Sequence, residues 1–217
     1  HRMKFKAVIF DLDGTLINSL EDIADSMNTV LRINKYPTHD YEAYNYFIGS
    51  GMRNLVAKAL PKNESNENEI ESCYAALMTV YSDNCNNNTK PYDHIITLLD
   101  TLVDRKLKLC VLSNKSDALT KKIVSALFAN YFESVVGLTT ETLKKPNPFT
   151  ALQISTELGV TPQEVLYVGD SGIDMQTATN AAMCAVGVSW GYRPKEELLA
   201  DGAIHIINSP LDLITLL

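Results

Sequence analysis

The sequence has no long apolar segment and no excess of basic residues. These two absences disfavour a membrane-spanning protein and a nucleic-acid-binding protein. No uncharged apolar run reaches the roughly 20 residues that a membrane-spanning helix needs, and no charged-then-apolar leader is present. Its 19 Lys and Arg against 26 Asp and Glu give a net charge of −7, which disfavours binding to nucleic acid or to an anionic membrane surface. We therefore expect a cytoplasmic protein whose partners are neither nucleic acids nor membranes.

Cysteine is also scarce, and its spacing disfavours a cysteine-based metal site. None of the four cysteines forms a C-x-x-C pair, and Cys110 and Cys184 lie within apolar runs. This usage is typical of reduced thiols in a cytosolic protein. The four histidines share no spacing that indicates a metal site, and no internal repeat is present.

Short apolar runs alternate with helical patterns along most of the chain. The alternation predicts parallel strands covered by helices on both faces, an α/β fold with a doubly wound parallel sheet. The predicted strands are 5–10, 107–112, 134–138, 165–168, 184–188 and 204–207. The predicted helices between them are 93–105, 116–129, 148–158, 172–181 and 195–200.

One interval interrupts this alternation, because it contains helical patterns and no convincing strand. The patterns cover 19–33, 51–60 and 65–84. The polar segment "NCNNNTKP" (84–91) follows them and is typical of a hinge or linker. We therefore predict an α/β core domain formed by 3–17 and 89–217, with an α-helical domain inserted at 18–88.

Polar residues directly follow several of the apolar runs. In "AVIFDLDGTL", Asp11 and Asp13 come after the first strand, Ser113-Asn114 follow "LCVL", and Gly169-Asp170 follow "VLYV". Lys144-Lys145-Pro146 open the helix after the third strand region. Because ligands of such sheets bind outside the carboxyl ends of the strands, these groups are expected to converge on one site.

Grouped carboxylates at such a site would repel each other, and some would take up protons. A hard divalent cation such as Mg²⁺ removes this conflict, because it binds carboxylates, waters and phosphate oxygens. Hydroxyl, backbone N–H and ammonium groups nearby would suit a phosphoryl group, and a carboxylate can attack phosphorus. The acids are Asp11, Asp13, Asp170 and Asp174, and the donors are Thr15, Ser113, Lys145 and the backbone N–H groups of the Gly14 turn.

The segments "DLDGTL", "SNK", "KKPNP" and "GDSGID" resemble, in order and spacing, the four motifs of the haloacid dehalogenase-like hydrolase superfamily. The resemblance covers essentially the whole chain and implies a Rossmann-like core, a helical cap at 18–88 and essential Mg²⁺. It implies that Asp11 is the nucleophile and that Asp13 is the general acid/base. Thr15, Ser113 and Lys145 would hold the phosphoryl group; Asp11, Asp170, Asp174 and the backbone carbonyl of Asp13 would bind the metal.

Further resemblances indicate which of the superfamily's activities to expect. Dehalogenating relatives lack an acid at Asp13, and phosphomutase-like relatives carry a cap histidine near Ile23 that is absent here. The flanking segments resemble phosphoglycolate-phosphatase-like proteins, in which the cap loop with Gly51 and Arg53 would help choose the substrate. We therefore expect a magnesium-dependent phosphatase of a small phosphorylated metabolite, with 2-phosphoglycolate as the best candidate and a monomer or homodimer as its assembly.

Alternatives remain open at this level. The chain could be a broad-specificity phosphatase, a phosphomutase-like member, or a non-enzymatic module that accepts a phosphoryl group or binds a phosphate ligand. Asn114 could orient the site or cap the following helix, and Asp174 could be only a first-turn acid favoured by the helix dipole. Gly51 could be a flexible turn, and Arg53 is more often a solvated helix residue than a ligand.

Overall fold

The computed structural model describes residues 4–217, and a parallel sheet lies at its centre. Six strands lie in the spatial order β5-β4-β1-β6-β7-β8, and all neighbouring pairs are parallel. This arrangement confirms the predicted doubly wound α/β fold. In chain order the strands are β1 (Ala7–Phe10), β2 (Ile17–Asn18), β3 (Lys90–Pro91), β4 (Lys108–Ser116), β5 (Ser134–Leu138), β6 (Val165–Gly169), β7 (Cys184–Val188) and β8 (His205–Ile207).

Helices cover both faces of this sheet, because side chains along each strand alternate between two apolar cores. In β1, Val8 and Phe10 join one core, whereas Ala7 and Ile9 join the other. Helices α5 and α6 cover the first face, and α7, α8 and α9 cover the second. The helices are α1 (Leu20–Ile33), α2 (Tyr41–Phe47), α3 (Met52–Ala59), α4 (Glu67–Asn84), α5 (Ile95–Asp104), α6 (Asp117–Phe128), α7 (Phe149–Leu158), α8 (Gly172–Asn180) and α9 (Lys195–Ala200).

Helices α1 to α4 form a helical cap, which is inserted in the chain between β2 and β3. Helix α1 packs against α2 and α4, and α3 packs against the same two helices. Where the chain leaves and re-enters the core, β2 pairs antiparallel with β3. Buried Asp22 of α1 accepts hydrogen bonds from the backbone N–H groups of Asn88 and Thr89, which fixes the predicted hinge segment to the cap. The domain boundaries at 18–88 stay a prediction.

Local differences from the sequence prediction have physical causes. Helix α2 was not predicted, since it has only seven residues in an aromatic-rich stretch; the Asp40 side chain caps it. Strand β4 continues through Ser113 and Asn114 instead of ending before them, with an irregular register against β5 between Leu112 and Ser116. Lys144 and Lys145 lie in a loop before α7 instead of opening that helix.

Within residues 4–217, no helix is both long enough and apolar enough to cross a membrane.

Candidate active site

The loop after β1 makes a tight turn that only glycine fits at position 14. Gly14 has a φ of +86°, and a Cβ atom there would lie 2.1 Å from Oδ2 of Asp170. The turn places the buried hydroxyl of Thr15 against Asp170, and this hydroxyl donates to Oδ1 at 3.2 Å. The backbone N–H of Tyr192 donates to Oδ2 of the same carboxylate at 3.0 Å. The loops after β1, β6 and β7 therefore meet at Asp170.

Three buried carboxylates converge at this edge of the sheet around one ammonium group. Oxygens of Asp11, Asp170 and Asp174 all lie within 4.8 Å of one another. The Lys145 ammonium donates to Oδ1 of Asp11 at 3.0 Å, to Oδ1 of Asp174 at 2.8 Å and to the carbonyl of Leu112. Asp174 also belongs to the capping box of α8 with Ser171, so it is both a first-turn acid and a member of the acidic cluster.

Burial and mutual repulsion shift the protonation of this cluster. Burial, with repulsion from Asp174, raises the pKa of Asp11 well above its ordinary value, although Lys145 opposes the shift. The same two causes raise the pKa of Asp170 to about 6. Burial disfavours the charged form of Lys145, but attraction from Asp11 and Asp174 outweighs it and raises the lysine pKa well above its ordinary value. The site therefore keeps the Lys145 cation, and its carboxylates resist being ionised together.

These shifts predict a pH dependence of stability for the metal-free protein. Between the ordinary pKa of 3.8 and about 6, the folded state binds more protons at Asp170 than the unfolded state. The contribution of Asp170 to the free energy of unfolding is therefore largest below this range and falls as pH rises through it. Urea unfolding across pH 4 to 7 with chelator checks this, with Asp170→Asn as the reference variant. Identical pH dependence in wild type and Asp170→Asn would contradict the expectation.

Asp13 is not a member of the cluster of three acids, and its side chain is held by a group that the sequence reasoning missed. Lys115 is 3% exposed, and its ammonium donates to Oδ1 of Asp13 at 2.7 Å and to the Tyr81 hydroxyl of α4. The Ser19 hydroxyl donates to the same Asp13 oxygen and pairs with the Tyr192 hydroxyl. The sequence contained a signal for Lys115, because it is the third residue of the "SNK" motif. The first two residues of that motif, Ser113 and Asn114, were predicted site residues.

A small cavity of about 20 Å³ opens between this edge of the core and the cap. It brings together Asp11, Asp13, Ser113, Asn114 and Gly51, all of them predicted site residues. Apolar side chains of the cap and Lys115 complete its lining. The full lining is Asp11, Asp13, Ile23, Ile48, Gly49, Gly51, Met52, Leu55, Ser113, Asn114 and Lys115.

Other predicted site residues lie outside the cavity lining. Thr15, Lys145, Asp170 and Asp174 form the buried layer next to Asp11. Arg53 is the exception, since its guanidinium pairs with Glu71 and lies over the Tyr74 ring on the cap surface. The sequence pattern could not place this side chain, because its direction depends on how α3 packs against α4.

Asn114 ties three parts of the site together instead of capping the next helix. Its amide donates to the carbonyl of Gly49 at 3.2 Å and to that of Lys145 at 3.3 Å, and its Oδ1 accepts from the Lys145 N–H. Ser116 supplies the cap of α6. Lys144 pairs with Glu141 at a partly exposed position. The preference for Lys145 over Lys144 in the cluster therefore agrees with the geometry.

Arg193, which the sequence reasoning did not single out, joins the cap to the core. Its guanidinium donates to the carbonyls of Asn45, Tyr46 and Ile48, at 3.0 to 3.1 Å. These carbonyls lie at the C-terminal end of α2, where helix carbonyls lack helical partners and carry partial negative charge. Glu197 orients the guanidinium at 2.9 Å. This contact holds the cap loop 48–51, which lines the same cavity as Asp11 and Asp13.

Comparisons with known proteins agree with this geometry. The family model described as haloacid dehalogenase-like hydrolase matches residues 8–188. The chain belongs to the haloacid dehalogenase-like hydrolases. This hydrolase is 33% identical over 213 residues to a phosphoglycolate phosphatase of Aquifex aeolicus, covering 98% of this chain and 96% of the relative.

Two further comparisons extend the same likeness. A phosphoglycolate phosphatase of Chromobacterium violaceum is 32% identical to the hydrolase, over 96% of each chain. The crystal structure of a predicted phosphoglycolate phosphatase from Haemophilus somnus superimposes with a TM-score of 0.90 at 26% identity. That alignment covers 100% of this chain and 99% of the other. The resemblance drawn from the four motifs is thereby confirmed along the whole chain.

Proposed function

We propose that this hydrolase is a magnesium-dependent phosphatase of small phosphomonoesters that works through an aspartyl-phosphate on Asp11, with 2-phosphoglycolate as the favoured substrate. The family and the relatives make the chain a phosphatase. The observation that carries the mechanism is the position of Asp11. It lies in the acidic cluster with Asp170 and Asp174 and also lines the cavity beside Asp13. One carboxylate therefore faces both a candidate metal site and a substrate cavity.

The residues present fit a divalent cation. Three buried carboxylates within 4.8 Å face one ammonium, so the fully ionised cluster needs further positive charge. Oxygen donors of this kind suit a hard cation, and Mg²⁺ typically takes few carboxylates together with substrate phosphate oxygens. Asp11, Asp170 and Asp174 would hold the ion by their side chains. When bound, it would offset their repulsion and draw negative charge from the phosphoryl oxygens.

The reaction needs a nucleophile and a proton carrier on one side of the phosphoryl group. A carboxylate oxygen of Asp11 attacks phosphorus, the bond from phosphorus to the leaving oxygen breaks, and Asp13 gives that oxygen its proton. Asp13 then takes a proton from water as the water oxygen attacks phosphorus. The bond from phosphorus to Asp11 breaks, which releases phosphate and restores both acids. Lys145 holds Asp11 in place and stabilises charge on the phosphoryl oxygens.

Cap opening and closing would admit substrate and then exclude bulk water. The connection between the two parts supports this, because the chain crosses between cap and core through the paired strands β2 and β3. Gly51 of the cap loop lines the cavity and is the cap residue that we assign to substrate contact. Arg53 would reach substrate only if its pairing with Glu71 were broken.

Phosphate release from a panel of small phosphoesters, with Mg²⁺ and again with chelator, tests the proposal. We expect turnover that requires the metal and is fastest with 2-phosphoglycolate. Even turnover across the panel would support a broad-specificity phosphatase instead. Absence of turnover with every ester and with Mg²⁺, Mn²⁺ or Ca²⁺ would contradict the proposed activity.

A further inference from the structure

We propose that Lys115 is the specificity-determining cation of the cavity and binds a carboxylate on the leaving group, so that the substrates are phosphate esters of small hydroxy acids. This inference rests on the proposed phosphatase function and specifies its substrate class. Its basis is the placement of a buried ammonium beside the general acid/base, on the side of the cavity that faces the cap.

The hydrogen-bonding capacity of Lys115 leaves one donor for a ligand. An ammonium has three N–H donors. Among the described residues, the Lys115 ammonium donates to two acceptors, Asp13 and the Tyr81 hydroxyl. The Tyr81 ring also lies 4.6 Å from the ammonium. Since Lys115 lines the cavity, the third donor can serve a group bound there. The two protein contacts hold the ammonium in place before a ligand arrives.

The charges around the cavity make Lys115 the group able to attract a second anion. Among the described residues that line the cavity, Lys115 is the one cation, and Asp11 and Asp13 are acids. Lys145 is committed to Asp11, Asp174 and a backbone carbonyl, and Arg53 is paired on the cap surface. Without Lys115, the charged residues that line the cavity would offer a carboxylate on the leaving group only negative charge.

The distance between Lys115 and Asp13 restricts where the carboxylate stands in the substrate. Asp13 must reach the leaving oxygen, and Lys115 Nζ lies 2.7 Å from Oδ1 of Asp13. A carboxylate one carbon away from the leaving oxygen can reach the ammonium while that oxygen contacts Asp13. The cap wall of the cavity contains Ile48, Met52 and Leu55. These apolar side chains disfavour a sugar or nucleoside leaving group, whose hydroxyl groups would lose water without gaining hydrogen-bond partners there.

The test is the ratio of kcat/KM for 2-phosphoglycolate to kcat/KM for ethyl phosphate, which lacks the carboxylate. The ratio cancels any effect of the substitution on Asp13, because both esters need the same acid. We expect Lys115→Met to lower this ratio about 30-fold, within the usual range for a hydrogen bond to a charged group. Lys121→Met removes an exposed ammonium paired with Asp117 and should leave the ratio unchanged.

An unchanged ratio in Lys115→Met would overturn the inference and leave Lys115 as a positioning residue for Asp13. A wild-type enzyme that prefers ethyl phosphate would also overturn it, while the phosphatase function would stand. If Lys115→Met does not fold, Lys115→Gln removes the charge and keeps hydrogen-bonding groups. If wild type hydrolyses neither ester, calorimetric binding of both to Asp11→Asn and to Asp11→Asn/Lys115→Met decides the inference independently of turnover.

Discussion

Asp11→Asn is expected to lower phosphatase turnover at least about a thousandfold, because a neutral amide cannot form the phosphoryl-enzyme. The variant should keep the fold and the stability of the wild type. Burial and repulsion from Asp174 raise the pKa of Asp11, so its ionised form is an unfavourable state in the metal-free protein. Lys145 keeps its 2.8 Å contact to Asp174 after the change. The metal-free variant should therefore unfold at the same urea concentration as wild type or at a higher one.

Single-turnover kinetics and urea unfolding measure the two parts of this prediction. Asp104→Asn, an exposed acid at the end of α5, provides the control and should change neither quantity. Turnover within tenfold of wild type would remove Asp11 as the nucleophile. A large loss of stability would instead show that the carboxylate is needed for folding, so that the lost activity could not be assigned to chemistry.

Lys145→Met should combine a loss of activity with a loss of stability of about 3–5 kcal/mol in the metal-free protein, the usual cost of removing one partner from a buried ion pair. The ammonium is 3% exposed and contacts Asp11 and Asp174. Without it, the buried carboxylates face each other with no cation. Adding Mg²⁺ should recover part of the stability, because the ion would replace some of the missing positive charge.

Lys144→Met is the matched control for this variant, since the two lysines are adjacent in sequence. Lys144 pairs with the exposed Glu141, and such a surface pair contributes about 0–1 kcal/mol. The free energy of unfolding from urea titrations with chelator and with Mg²⁺ gives the comparison. Equal losses in the two variants would show that the cluster does not depend on the Lys145 charge.

The fold was predictable because its main signals are local. The apolar runs of β5 and β7 gave both strands with their observed bounds, 134–138 and 184–188. The helix at 195–200 was also predicted within its observed bounds. Helix α2 was not, because seven residues give too short a pattern and its stability comes from packing against α1 and α3.

The candidate site also has residues that the sequence predicted and residues that it did not. Positions directly after strand ends are determined by sequence order, because all parallel strands end at one edge of the sheet. Asp11, Asp170 and Asp174 were therefore found from their spacing, and they do converge. Arg193 was missed, because its partners are 145 to 148 residues away in the chain. Lys115 belongs to the "SNK" motif, but its role depends on Asp13, which is 102 residues away.

The sequence by itself determined the layer order, the family and the acids and lysine at the strand ends, since each of these follows from local pattern and chain order. Tertiary structure alone decided which charges are neutralised by which partners. It placed Lys145 between Asp11 and Asp174, turned Asp13 towards Lys115, and paired Arg53 with Glu71 away from the cavity. The physical reason is that charge pairing depends on distances of a few ångströms between side chains remote in sequence, which only the packed cap and core define.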